Sequence, residues 1–157
     1  MNIVRVLENC EQRAGFQYGW ADFAPIGLMI SRTGTVEAIT GYPLGTTLDQ
    51  VSAMLIRAAG RHRERIAALG IACSAWSSVS AVQDMIAPGL AEDRQRARLV
   101  AAVDRKFLVH LLSNINGNVS YTTDPSPYGG VGPVLTGAMH RLLTKHEPQP
   151  RVLGRLP

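Results

Sequence analysis

Apolar residues recur along this chain with two different periods, and the changes of period divide it into elements. Ile3, Val4, Leu7 and Cys10 follow Asn2 at helical spacing, which predicts a short helix over 3–13 with Asn2 as N-cap and Gly15 as its stop. An aromatic and glycine-rich stretch follows. The pattern then becomes a strict alternation in IGLMISRTGTVEAI, where β-branched residues flank Arg32-Thr33-Gly34 and predict a hairpin with Gly34 in its turn. Thr47 and Gln50 have the spacing of a capping box. Leu48, Val51, Leu55, Ala58, Ala59, Ile66 and Leu69 continue one apolar stripe, so a helix of about six turns is predicted over 47–69, closed by Gly70.

The run IACSAWSSVSAVQ, from Ile71, reads as a strand that ends before Pro88-Gly89. Residues 94–115 fit both periods. Leu99, Val103, Phe107, Leu111 and Ile115 would line a helix that Gly117 caps, while Ala97, Leu99, Ala101 and Val103 also alternate as a strand, as do Phe107, Val109 and Leu111. A helix puts Asp104 in the apolar arc and a hairpin puts it at the turn, which favours two strands. Residues 116–133 carry Gly117, Pro125, Pro127, Gly129, Gly130, Gly132 and Pro133 and read as a long loop, either a lid or binding edge or a surface crossing into the last helix that Gly132-Pro133 sets. Leu135, Met139, Leu142 and Leu143 mark a last helix over 134–145, and a proline-rich tail closes the chain over 147–157. The order α-β-β-α-β-β-β-α predicts an α+β fold: a five-stranded antiparallel sheet flanked by helices, in one domain over 1–146.

Composition narrows the class. With 157 residues, 46% of them hydrophobic and 18% charged, the chain can bury one core and is neither disordered nor fibrous. No apolar run approaches the roughly 20 residues of a membrane span. The start MNIVRVLENCEQR has no basic n-region or apolar h-region, so a cytoplasmic location is expected. Cys10 and Cys73 are too few for a disulfide framework or a four-thiolate site.

Motifs of chemistry are scarce. There is no P-loop, GxGxxG, HExxH, calcium loop or GxSxG elbow, and His62, His110, His140 and His146 are dispersed without i+4 pairing. No metal site, no cofactor and no catalytic residue is expected. His62 and His110 read as core histidines with a bonded nitrogen, and Cys73 as packing. Asp84, Asp93, Asp104 and Glu37 have no paired spacing, and Glu37 reads as solvated.

Charge carries the remaining signal. Arg57, Arg61 and Arg65 repeat at i+4 with Arg63 beside them, and Arg94, Arg96, Arg98, Arg105 and Lys106 form a second group. Like charges at i+4 repel by a few tenths of a kcal/mol, so such a ridge suits an acidic partner. The candidate partner-binding residues are therefore Arg57, Arg61, Arg65, Arg96 and Arg98. Nucleic acid is not favoured, because aromatics are only 6% of the chain and none interleaves with either basic group.

The sequence resembles the roadblock family, the relatives of the dynein light chain with a profilin-like fold. The resemblance lies in Ile26 to Ile39 with its Ser31-Arg32-Thr33-Gly34 turn, in the alanine-rich helix from Thr47 to Leu69, and in the paired strands Arg96 to Val103 and Phe107 to Leu112. It implies a non-enzymatic scaffold, a homodimer that regulates or recruits a small GTPase or similar partner. It also implies that sheets join and long helices pack across the dimer, with Val51, Leu55, Ala58 and Arg61 near the interface. Two alternatives stand beside it: a subunit of a larger phage or bacterial assembly, and a small enzyme or nucleic-acid binder that uses the arginine groups.

Overall fold

The computed structural model describes residues 1–124 and 130–144. Its elements are α1 (Ile3–Tyr18), β1 (Ile26–Ser31), β2 (Val36–Ile39), α2 (Leu48–Ala59), β3 (Ile66–Ser77), α3 (Val79–Asp84), β4 (Gln95–Asp104), β5 (Val109–Ile115), β6 (Asn118–Thr123) and α4 (Val131–Thr144). Six strands form one antiparallel sheet in the order β2-β1-β3-β4-β5-β6. The fold is α+β, with a sixth strand and the short helix α3 beyond the predicted set.

The two central strands are apolar on both faces because both faces are covered. On one face Val51, Leu55 and Ala59 of α2 and Leu135, Ala138, Met139 and Leu142 of α4 pack on Leu69, Ile71, Ala101, Val103 and Leu111. On the other, Val6 and Leu7 of α1 pack on Leu28, Ile30, Ala72, Val100 and Leu112. Alternation along each strand thus feeds two cores from one sheet.

Residues 94–115 are the predicted hairpin, with Asp104 at its turn. The first hairpin, the Asn2 cap and the Thr47–Gln50 capping box also form; Gly34 takes a φ of 90° in the turn.

Four boundaries move. The long helix stops at Ala59, and a 3-10 turn over Gly60–Arg65 leads into β3, so Ile66 and Leu69 belong to a strand. Gly70 is therefore mid-strand and not a helix stop; a Cβ there would lie 2.7 Å from the backbone O of Ala101. α1 runs through Gly15 to Tyr18 and ends at Gly19, whose φ is 60°. The strand read from Ile71 to Gln83 breaks at Ser78, whose hydroxyl accepts from the Ala81 N–H and starts α3. In the presumed loop over 116–133, Asn116 (φ 50°) and Gly117 (φ 98°) turn the chain into β6. The Pro-rich tail over 147–157 and most of the Gly/Pro loop's centre, 125–129, lie outside the described residues.

Candidate functional site

The candidate arginines separate into two environments at opposite ends of the sheet. β4 has ten residues, so its first and last side chains are roughly 30 Å apart. Arg94, Arg96 and Arg98 sit at one end and Arg105 and Lys106 just past the other.

At the β4 start the cations are committed internally. Arg98 is buried: its Nε and Nη2 reach Glu11 Oε1 at 2.9 and 2.8 Å, and its Nη1 donates to the Gly19 O at 2.6 Å. Arg96 pairs with Asp22 at 2.7 Å and donates to the Trp20 O at 2.9 Å. Aromatic rings from distant segments cover this group: Trp20 lies 4.0 Å from the Arg98 guanidinium, and Trp76 lies 4.3 and 5.1 Å from those of Arg96 and Arg94. The sequence shows no interleaving because the rings arrive from α1's end and from β3. Arg98 accordingly holds the fold and is not accessible to a partner, and the Arg96 charge is already balanced.

At the other end the cations converge. Arg61 and Arg65 lie exposed on the 3-10 turn, Arg57 on the last turn of α2 and Arg32 on the β1–β2 turn. Hydrogen bonds bind these pieces together. Arg32 Nε donates to the Glu64 O at 2.9 Å, Arg105 Nη1 donates to the Arg63 and Ile66 O atoms, both at 2.9 Å, and Arg63 Nε donates to the Leu142 O at 2.6 Å. Arg57 and Arg63 also line one hollow with Leu142. Arg32, Arg57, Arg61, Arg63, Arg65, Arg105 and Lys106 make seven cations against Glu64 and Asp104, an excess of five, whereas the whole chain carries +4. Among the described residues no carboxylate forms an ion pair with Arg32, Arg57, Arg61, Arg65, Arg105 or Lys106. Arg57, Arg61 and Arg65 thus all lie exposed between the end of α2 and the start of β3, although the helix that would have put them on one ridge ends before Arg61.

The β4–β5 turn completes this pole. Asp104 Oδ1 accepts from the Lys106 N–H at 2.8 Å and the Leu108 N–H at 3.1 Å, and Phe107 sits in the left-handed region with φ 66°. Asp104 Oδ2 bonds His110 Nε2 at 3.0 Å, and His110 Nδ1 bonds the Tyr121 hydroxyl at 2.5 Å. Burial works to raise the Asp104 carboxyl, but the His110 bond and the two backbone N–H groups outweigh it and hold the group below its ordinary range. Burial, then the Asp104 charge, raises the Tyr121 phenol. This relay braces a turn: the carboxylate is saturated, and the phenol is kept neutral. The turn ends in a tip where Phe107 and Leu108 are each 40% exposed beside Arg105 and Lys106. The alternation of Phe107, Val109 and Leu111 places Phe107 in the second strand of the hairpin, whereas that strand begins at Val109 and Phe107 stands in the turn.

The remaining candidates read as structure. His110 is a buried histidine with both nitrogens bonded, as expected, but His62 is exposed on the 3-10 turn. Glu37 is exposed. Val51 and Leu55 are fully buried beneath α2 in the chain's own core, which removes them from any surface; Ala58 is half-buried. The Cys73 thiol is pushed up to about 11 by burial and is a neutral, inert thiol. It lines a mostly apolar cavity of about 810 Å³ with Leu48, Leu99 and Val131. Among the described residues, no three of the His, Cys, Asp and Glu side chains gather as metal ligands, and no helix is long and apolar enough to cross a membrane. Compared with models of protein families, with characterised proteins and with solved structures, the chain matches none.

Proposed function

We propose that this chain is a binding module without chemistry of its own, docking an acidic partner surface on its basic pole. The observation that carries the reading is the meeting of six cations, from four separate segments, that form no ion pair with a carboxylate among the described residues. Such a cluster repels itself in the free protein, and an anionic partner relieves that repulsion and speeds encounter. The inert Cys73 and the saturated Asp104–His110–Tyr121 relay supply no nucleophile or base to favour an enzyme.

The test separates local from overall charge. Arg57→Ala/Arg61→Ala/Arg65→Ala is compared with Arg94→Glu/Gln95→Glu, which changes net charge equally at exposed positions at the far end of β4. Retention on immobilised heparin, read as the eluting salt concentration, is expected to collapse for the first variant and to fall modestly for the second. Equal losses overturn the reading.

A second reading keeps the roadblock-like scaffold, a homodimer that recruits a small GTPase. The helix contact through Val51 and Leu55 is not available to it, since both side chains are spent on the core. The sheet edge is: β6, NVSYTT, is the outer strand among the described residues, has neither charge nor proline, and leaves Val119 55% exposed. Edges so unprotected pair readily with another strand. Light scattering decides it: a dimer that Val119→Lys dissociates supports edge pairing, and a monomer at every concentration removes it.

A further inference from the structure

Resting on the proposed basic docking pole, we infer that its partner is an anionic membrane surface, held by the cations and entered by Phe107 and Leu108. Three observations favour lipid over a soluble polyanion. The apolar pair stands on the same turn as Arg105 and Lys106, and the 3-10 turn that carries Arg61 and Arg65 is tied to that turn through Arg105 Nη1. A nucleic acid or an acidic peptide gives an exposed leucine little to bury in, whereas the acyl boundary beneath a charged headgroup layer takes both groups at once. Single-stranded nucleic acid stacks successive bases on aromatic rings, whereas at this pole Phe107 stands beside Leu108 and the tryptophans Trp20 and Trp76 lie at the far end of the sheet under guanidinium groups.

Phe107 is also presented at a conformational cost. A phenylalanine at φ 66° is unfavourable, and this turn keeps it with Asp104 Oδ1 accepting from the Lys106 and Leu108 N–H groups on either side, while Oδ2 is held by the His110–Tyr121 brace. The backbone of the tip is therefore braced before it meets the bilayer, which lowers the ordering cost of insertion. Each cation near an anionic leaflet adds roughly fivefold to partitioning, so charge and wedge together give stable but salt-sensitive attachment.

The experiment is sedimentation of the whole chain with phosphatidylcholine vesicles and with vesicles about one-third phosphatidylserine, at low and physiological salt. Binding is expected only to the phosphatidylserine vesicles, weakening as salt rises. Phe107→Asn, which keeps a residue at home in the left-handed region, should weaken binding about tenfold with its melting profile intact. Leu108→Ser tests the same tip should Phe107→Asn fail to fold. Arg57→Glu/Arg61→Glu/Arg65→Glu should lose at least a hundredfold. Heparin retention with no vesicle binding overturns the membrane assignment and leaves the docking pole standing. Loss of both overturns the two together. Vesicle binding that neither tip variant weakens overturns the wedge.

Discussion

Arg98 of β4 and Glu11 of α1, 87 residues apart, form the buried ion pair that fastens the first helix to the sheet. Glu11 Oε1 takes two guanidinium nitrogens and the Asn114 amide at 2.6 Å, so one carboxylate oxygen joins α1, β4 and β5. Breaking one side leaves a charge in the interior. Glu11→Gln is expected to cost about 3–5 kcal/mol in urea unfolding, while Glu11→Leu/Arg98→Met costs less than either single change. A loss below about 1 kcal/mol for Glu11→Gln would show the pair to be solvated.

Gly15 extends that relationship into the helix. A Cβ at this position would lie 2.7 Å from Arg98 Nη2 and 2.8 Å from its Cζ, and the guanidinium is pinned by Glu11 and the Gly19 O. Glycine to alanine inside a helix normally stabilises by about 1 kcal/mol. Here Gly15→Ala should destabilise by about 1–3 kcal/mol, and in an Arg98→Ala background the sign should reverse. The same sign in both backgrounds would remove Arg98 as the cause.

Gly70 answers to the backbone instead. Its missing Cβ would meet the Ala101 O at 2.7 Å in the middle of the β3–β4 ladder, where Gly70 faces Ala102. No side chain can turn aside. Gly70→Ala is expected to lower the melting temperature by at least several degrees, corresponding to more than about 2 kcal/mol, without dependence on salt. A change of under one degree would mean the strands part at little cost.

These glycines mark what the sequence could and could not disclose. Alternation and caps are local, so the first hairpin, the Thr47 capping box and the pairing of β4 with β5 were legible, the last because Asp104 suits a turn and not an apolar arc. Gly15 and Gly70 looked like stops because the groups that require them, Arg98 and the Ala101 O, come from other strands. The Asn116-Gly117 pair is a strong hairpin signal on its face and foretells β6; the nearby prolines and glycines masked it. The basic pole was half legible. Helical spacing singles out Arg57, Arg61 and Arg65, although the chain abandons the helix at Gly60, and Arg32 and Arg105 join this end through bonds to backbone oxygens of the 3-10 turn that no spacing announces. Arg98 was grouped with them by charge, although its role depends on a glutamate in the first helix.

Asp93 ties α3 to the fold, and acid should release it. The Ser78 hydroxyl donates to Asp93 Oδ1, the Ser80 hydroxyl donates to the same oxygen at 2.6 Å, and the Ser80 N–H donates to Oδ2 at 3.1 Å. The Ser78 bond, then those of Ser80, lower the carboxyl to about 2 from 3.8. A carboxyl lowered by folding lends its stability in full above its unfolded value and loses it as pH falls through the folded one. The window is therefore from about pH 4 down to about pH 2. A six-residue helix has little stability of its own, so the cap decides whether α3 persists. An NMR titration should place the Asp93 carboxyl midpoint near 2, with the Ser80 and Ala81 amide shifts moving in the same window while the β3 amides stay put. Asp93→Asn should show the acid-form shifts at neutral pH. An Asp93 midpoint near 4 would mean that the serine hydroxyls do not hold the carboxylate and that α3 forms without them.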